Sequence, residues 1–378
     1  MKKLMIFTLI IFFLAGCVPK FDPEDEVIQE ESDQTEEKAI IPRFQISDSY
    51  YRTISPFKPS ESRGLVVNRL HTRLDSDEME EGLLRIAQQI FSTDRYFYQD
   101  GQYLDKDTVT SWIRRYDEAD NPQGLNPALP AAGSAEEIQK AHEENPIYLA
   151  HILEQNFLVK TDEDKVRLGG IAIGLAMNSV YYYSEGGFDY EVKIPSDQIE
   201  KQGKQMAQEI VSRLRGIEGL DSVPIIVGLF KQEERTSVVP GNFIAYGTTG
   251  DQGTSIDWHA LNEDYVLFPS SEAEKSYRDD YDQFMEFQTE VQSYFPNYNG
   301  VVGTGFYIDN ELQEMKIDVN MEFYGKSEVI GFAQYIGGLL IDTFSPNVMI
   351  EVNVQSISGP EALILRKPDM DEPFVHIY

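Results

Sequence analysis

The chain of 378 residues has one cysteine, two tryptophans and five histidines, and half as many basic side chains as acidic ones, 32 against 64. Each scarcity excludes something. A lone thiol at Cys17 leaves no partner for an intrachain disulfide, so the folded part must rely on packing. No two of His71, His142, His151, His259 and His376 stand at helical ligand spacing with a glutamate between them. His142-Glu143-Glu144 lacks the second histidine of a zinc-protease helix. No serine sits in a Gly-x-Ser-x-Gly turn, and Gly303-Thr304-Gly305 lacks the third glycine of a dinucleotide loop. The formal charge of −32 repels nucleic acid, and also anionic lipid or wall polymer unless a divalent cation intervenes. Carboxylates are abundant, but abundance alone is no catalytic pair. We expect no cofactor, no metal centre, no catalytic residue and no nucleic-acid partner, hence no enzymatic activity.

Long apolar runs are also missing, except at the start. Lys2 and Lys3 precede an apolar run from Leu4 to Leu14 broken only by Thr8, and Leu14-Ala15-Gly16 leads into Cys17. A basic start, a short apolar stretch and small residues before a cut site make a secretory signal. The run is shorter than the ~20 residues that span a bilayer. Leu-Ala-Gly-Cys reads as the lipobox of bacterial lipoprotein processing, which attaches diacylglycerol to the Cys17 thiol and cuts before it. Two acyl chains, at roughly 0.8 kcal/mol per buried methylene, anchor stably. The expected partners are membrane lipid through Cys17 and the processing enzymes. With no second span, everything downstream is expected on one side, anchored to the cell membrane and facing outside.

Residues 1–16 are thus read as signal peptide and 17–43 as an acidic disordered tether, too poor in large apolar residues to offset its ordering entropy. The ectodomain divides into a first half, 44–250, and a second, 251–378. In the first, Leu65-Val66-Val67 reads as a short strand, and Asp75 or Ser76 caps a helix with Met79, Leu83, Ile86, Ala87 and Ile90 on one face. Tyr96 to Leu104 reads as a hairpin around Asp100-Gly101. Asp105 caps a helix carrying Val109, Trp112, Ile113 and Tyr116, and Ser134 with Glu137 has capping-box spacing. Tyr148–Val159 and Val166–Tyr183 form a long hairpin. A helix from Ser196 buries Ile199, Met206, Ala207, Ile210, Val211 and Leu214. Strands follow at Ile225–Phe230 and Asn242–Tyr246. In the second half, a helix spans Ser276–Phe295, a hairpin turns at Asp309-Asn310, a helix carries Val329, Ile330, Ala333, Ile336, Gly337, Leu340 and Ile341 on one face, and two strands close the chain. Hairpin, helix, strand, strand thus occurs twice. The predicted class is α+β: two diverged repeat units, each a mostly antiparallel sheet with one main helix packed on it, plus an N-terminal helical segment.

Two stretches hold candidate ligand chemistry. Asp251 to Asp257 has oxygen ligands near glycines, though not in EF-hand order, and reads first as a plain turn. Tyr51, Arg52, Lys58, Arg63 and Arg69, with His71 and Arg73 beyond them, concentrate basic and aromatic residues in an acidic chain. They either pair with nearby acids or line a surface for an anionic or sugar-like ligand.

Tyr51-Arg52-Thr53, Pro56 to Ser60, Arg63 to Val66, Gly82-Leu83, Arg85 to Gln88 and Gly101 to Leu104, together with the lipobox, resemble the CamS family of lipoprotein precursors of a bacterial sex pheromone. The resemblance extends over nearly the whole chain. It implies a membrane-anchored lipoprotein of Gram-positive type, a mature part of two diverged repeats, and no established enzymatic activity. It also implies a heptapeptide released from the end of the signal segment, here Ile10-Ile11-Phe12-Phe13-Leu14-Ala15-Gly16. The family form is Ala-Ile-Phe-Ile-Leu-Ala and a small residue. Ile11, Phe12, Leu14 and Ala15 match it, whereas Ile10 and Phe13 depart from it and Gly16 replaces the usual Ser or Ala. Three functions compete: a peptide source whose ectodomain has a separate role, an envelope binding or adhesion module for a cell-wall or peptide ligand, and a cell-wall hydrolase. The last needs two carboxylates about 5–9 Å apart in a cleft.

Overall fold

The computed structural model describes residues 37–162, 165–250, 252–294, 300–368 and 370–378. The signal segment, the lipobox, Cys17, the heptapeptide and tether residues 18–36 lie outside the described residues, as does Asp251 of the Asp/Gly loop.

Two strands of two residues each, β1 (Glu37–Lys38) and β2 (Arg52–Thr53), precede helices α1 (Arg63–Arg69) and α2 (Arg73–Ala87). Then come β3 (Tyr96–Asp100), α3 (Lys106–Ile113), α4 (Ala135–Glu144), the long hairpin β4 (Leu149–Asp162) and β5 (Lys165–Asn178), and a small hairpin β6 (Val180–Glu185) and β7 (Phe188–Lys193). Helix α5 (Ser196–Leu214) leads to β8 (Ile225–Gln232), β9 (Asn242–Thr249) and β10 (Asp257–Ala260). The second part runs β11 (Glu263–Phe268), α6 (Ser271–Ser276), α7 (Arg278–Tyr294), β12 (Gly300–Ile308), β13 (Glu311–Asn320), α8 (Lys326–Thr343), β14 (Met349–Ser356), β15 (Gly359–Arg366) and β16 (Phe374–Ile377).

The strands form two main sheets. One is ordered β10-β9-β8-β5-β4-β3-β2, with β1 also paired to β5; the other is ordered β11-β12-β13-β14-β15-β16. In the first, β3, β4 and β5 alternate in direction, β8 lies parallel to β5, and β9 and β10 are antiparallel again. In the second, β11, β12 and β13 alternate, β14 lies parallel to β13, and β15 and β16 are antiparallel again. The parallel pairs β5–β8 and β13–β14 each need a crossover, and α5 and α8 supply it. The six strands β3, β4, β5, β8, β9 and β10 therefore have the order and polarity of β11 to β16, while β1 and β2, the latter parallel to β3, have no counterpart in the second sheet. The class is α+β, as the periodicity predicted. The change of sheet falls between Ala260 and Glu263, about ten residues after the dividing line drawn from sequence.

Local chemistry accounts for most elements. Asp105 caps α3, accepting from the Thr108 N–H at 2.7 Å, and Ser134 with Glu137 closes a full capping box on α4. The face expected for α5 is buried along its whole length. Asp309 and Asn310 take φ of 53° and 64°, the paired positive values of a tight two-residue hairpin turn. The first sheet is covered on both faces rather than one. Ile171, Ile173 and Leu175 of β5 pack with α5, while Ala172 and Ala176 on the other side meet Met79 and Leu83 of α2. Gly82 and Gly228 permit that second contact, since a Cβ on either would sit 2.7 Å from the Phe243 ring.

Several expectations are corrected. Leu65-Val66-Val67 lies inside α1, which packs on β4; β-propensity spans only about 1 kcal/mol and yields to such packing. Thr72, not Asp75 or Ser76, caps α2, accepting from the Asp75 N–H at 3.0 Å. Ile90 and Tyr116 fall beyond their helix ends and are exposed. Tyr96–Leu104 is no hairpin. After β3 the N–H groups of Gln102, Tyr103 and Leu104 donate to the buried carboxylate of Glu154 at 2.8, 3.0 and 2.7 Å, so they need no second strand. Order begins before the expected tether ends. Glu37 and Lys38 pair with β5 and Ala39 is 4% exposed, whereas Phe44, the expected start, is 79% exposed. In the Asp/Gly loop, the Gly250 and Gly253 carbonyls accept from Arg215 at 2.8 and 3.0 Å.

One ion-pair cluster joins the two sheets. Arg85 of α2 reaches Glu78 at 2.8 Å and Glu263 of β11 at 3.0 Å, and its guanidinium centre lies 4.5 Å from the Phe306 ring centroid. The Tyr265 hydroxyl donates to Glu78 at 2.5 Å. Burial raises the Glu78 carboxyl above its ordinary range, more than Arg85 draws it down. Arg85→Met strands two buried carboxylates and should cost about 2–3 kcal/mol, less than a fully buried pair because Arg85 is partly exposed. Urea denaturation measures this, and an unchanged midpoint would show the bridge to be dispensable.

His151 of β4 is a second sensitive point. It is buried, and its Nδ1 has no hydrogen-bond partner among the described residues. Burial, and then the positive charge of Arg69, push its pKa from 6.5 down to about 4. The folded value is depressed, so this stabilisation is complete above pH 6.5 and is lost as pH falls toward 4. The loss amounts to about 3 kcal/mol over that window. Denaturation at pH 7.5 and pH 4.5 should show a drop in the native chain that is smaller by that amount in His151→Gln. Equal drops would mean that His151 carries a proton in the folded state.

Candidate functional site

The parallel pair β5 and β8 ends at one place, with Asn178 opposite Gln232 in register. The Gln232 amide donates to Asn178 Oδ1, the Asn178 amide donates to the Ile147 carbonyl at 2.8 Å, and Gln232 Oε1 accepts from the His71 N–H at 3.0 Å. The connection between α1 and α2 is thereby tied to the strand ends. His71 Nδ1 lies 2.9 Å from the Glu233 carbonyl, which fixes the ring. In this corner is a cavity of about 260 Å³. Leu70, Ile113, Ile147, Leu149 and Ala150 give it an apolar wall, and Arg69, His71, Asn178, Tyr181, Tyr182 and Arg235 complete the lining.

The electrostatics of the lining differ from those of the chain. It has two guanidinium groups and no carboxylate. Arg69 closes α1, where a cation suits the helix dipole. Arg235 lies in the β8–β9 connection with its guanidinium centre 4.1 Å from the Tyr182 ring centroid. Neither arginine makes an ion pair among the described residues. Burial lowers the His71 pKa, its bond to the Glu233 carbonyl opposes that, and Arg235 lowers it further. The net shift leaves the ring neutral near pH 7. The nearest carboxylate acting on His71 is Asp75, whose oxygens accept from the Gly241 N–H at 2.7 Å, the Glu233 N–H at 3.3 Å and the Thr72 hydroxyl at 2.9 Å. Tyr181 is held by His142 Nδ1 at 2.9 Å and by Arg115 Nη2 at 3.1 Å.

The five residues expected as one ligand surface do not share it. Tyr51 donates to the Phe91 carbonyl at 2.6 Å and packs on Phe157, and burial raises its hydroxyl well above the ordinary range. Arg52 lies over Phe97, Lys58 pairs with Glu37 at 2.7 Å, and Arg63 pairs with Asp100 at 3.2 Å. Only Arg69 lines the cavity. Arg235 and the tyrosines were missed in the sequence. Tyr181-Tyr182-Tyr183 was the available signal, but it read as the tail of a strand. The lining of this cavity includes no carboxylate, so the two-carboxylate arrangement of glycoside hydrolysis is not found in it.

Comparison with known proteins places this geometry in a family. The model of the family described as CamS sex pheromone cAM373 precursor matches residues 57–372. The structure of a sex pheromone precursor from Lactobacillus salivarius subsp. salivarius UCC118 superposes with a TM-score of 0.81 at 28% identity, covering 89% of this chain and 98% of that one. The C-terminal domain of the sex pheromone staph-cAM373 precursor from Staphylococcus aureus superposes at 0.71 with 33% identity, covering 82% of this chain and 98% of that one. No curated protein sequence matches the chain. With a family match over most of its length, the chain belongs to the CamS family of sex pheromone precursors.

Proposed function

We propose that this protein is a lipid-anchored extracytoplasmic precursor. Its signal segment yields a heptapeptide, and its ectodomain stays at the outer membrane face as a binding module without enzymatic activity. The observation that carries the reading is the sequence Leu14-Ala15-Gly16-Cys17, whose cysteine is the chain's single thiol, at the head of a chain of this family. No helix among the described residues is long and apolar enough to cross a membrane. The cavity favours ligand binding as the role of the ectodomain over hydrolysis.

The peptide Ile10 to Gly16 has no charged side chain and is apolar. It can leave a membrane and fill an apolar receptor pocket, where each large side chain contributes roughly 1.5–3 kcal/mol. Phe13 stands where the family form has Ile, and a pocket shaped for Ile pays about 1–3 kcal/mol to overpack.

Cys17→Ala should abolish incorporation of a fatty-acid probe, because no other thiol exists. Label persisting on that variant would remove the lipobox reading. Mass spectrometry of culture supernatant should find the heptapeptide ending at Gly16, and the synthetic peptide should act on cells tuned to the family form only weakly. A fragment always cut elsewhere would end the first statement, and equal potency would end the second.

A further inference from the structure

We propose that the cavity at the ends of β5 and β8 binds a small oxyanion ligand, a carboxylate or phosphate carried on a compact ring or apolar body, with Arg69 and Arg235 as its anion contacts. This rests on reading the ectodomain as a binding module.

The first support is charge. The chain carries 64 carboxylates against 32 basic side chains, yet several cations, Arg52, Arg115 and Arg366 among them, have no acidic partner among the described residues and meet a ring or carbonyls instead. Lys58, Arg63, Arg73, Arg85, Arg213 and Arg278 all have acidic partners. Arg69 and Arg235 have none either among the described residues, and what sets them apart is that both line one cavity whose lining includes no acid. Two like charges in one cavity repel, and an arriving anion relieves both. Asp75, a carboxylate that acts on His71, is committed to two backbone N–H groups and a hydroxyl.

The second support is form. Guanidinium presents a planar fork that matches carboxylate and phosphate. Tyr182 holds Arg235 in place before any ligand arrives, which limits the entropy lost on binding. The amides of Asn178 and Gln232 are spent on each other and on the backbone, so the arginines supply the charged recognition. Leu70, Ile113 and Leu149 with the Tyr181 and Tyr182 rings offer a surface for an uncharged body. A volume of about 260 Å³ falls just below the range of drug-sized pockets, so the ligand, or the terminal group that enters, is compact. The position, outside the carboxyl ends of two parallel strands, is where sheets with helical crossovers commonly hold ligands.

The test uses the intact mature chain in neutral detergent, titrated calorimetrically with three probes. Glycerol 3-phosphate carries a phosphate, N-acetylmuramic acid carries a carboxylate on a sugar ring, and N-acetylglucosamine is the uncharged ring. At least one anionic probe should bind, the neutral sugar roughly tenfold more weakly or not at all, and added salt should weaken binding. Which anion binds tells a phosphate source from a carboxylate source. Arg69→Gln and Arg235→Gln should each lose roughly tenfold in affinity, and the double variant more. The exposed Arg73→Gln, outside the cavity, should lose none. Melting temperatures of all variants should match the native chain, which separates lost contacts from lost folding. The proposal fails if the double variant binds as well as the native chain, if the neutral sugar binds as tightly as the anions, or if no anion binds at millimolar concentration. A tightly bound neutral sugar overturns the anion assignment but leaves the binding reading intact. If no probe binds and isolated cell walls do not retain the protein either, that reading fails as well.

Discussion

The parallel pairing of β5 with β8 is the constraint on which the rest of the first sheet depends. Antiparallel neighbours can be joined by a tight turn, but a parallel neighbour requires the chain to return to the starting edge. Helix α5 makes that return, and its buried face from Ile199 to Leu214 covers one side of the sheet. The pairing brings two strand ends together, Asn178 beside Gln232. At such an end neither strand continues to shield the backbone, so the amides close the gap between themselves and draw in the α1–α2 connection. The cavity is the space left over. β13 and β14 repeat the pairing around α8, and the second sheet shares the order of β3 to β10 in the first.

Charge acts on this fold in two opposite ways. At the junction of the sheets, Arg85 is enclosed by Glu78, Glu263 and the Phe306 ring, and desolvation is offset by two carboxylates. At the cavity, Arg69 and Arg235 are left with aromatic and apolar neighbours. In the first setting the cation is consumed by the structure and serves to join its parts. In the second its charge is available. The surface elsewhere repels other anions at long range, so an anionic ligand must reach the cavity against the chain's overall field. That barrier is screened within about 8 Å at physiological ionic strength.

The apolar start, the single thiol and the exclusion of an intrachain disulfide are properties of residue order, and the sequence alone determines them. It also carried most elements of regular structure, because capping and periodicity act over a few residues. Asp105, the Ser134–Glu137 pair, the Asp309-Asn310 turn and the apolar face of α5 are local statements, and they appear where the pattern put them; on α8 Val329, Ala333, Ile336, Gly337 and Leu340 are buried as expected, whereas Ile330 and Ile341 are exposed and Phe332 takes a place in the core. Only the tertiary structure decided which polar groups meet. Leu65-Val66-Val67 favours a strand locally, yet packing on β4 makes it helical. Gly101 favours a turn, yet Glu154, fifty-odd residues later, takes the N–H groups that a second strand would have used. Most of the basic residues clustered in sequence near Tyr51 disperse to Glu37, Asp100 and Phe97, while Arg69 joins Arg235 across the ends of two parallel strands. Hydrogen bonds and ion pairs are short-ranged in space and indifferent to distance along the chain. A site built from them is therefore written in the sequence only as residue types, and the fold decides which of those residues share it.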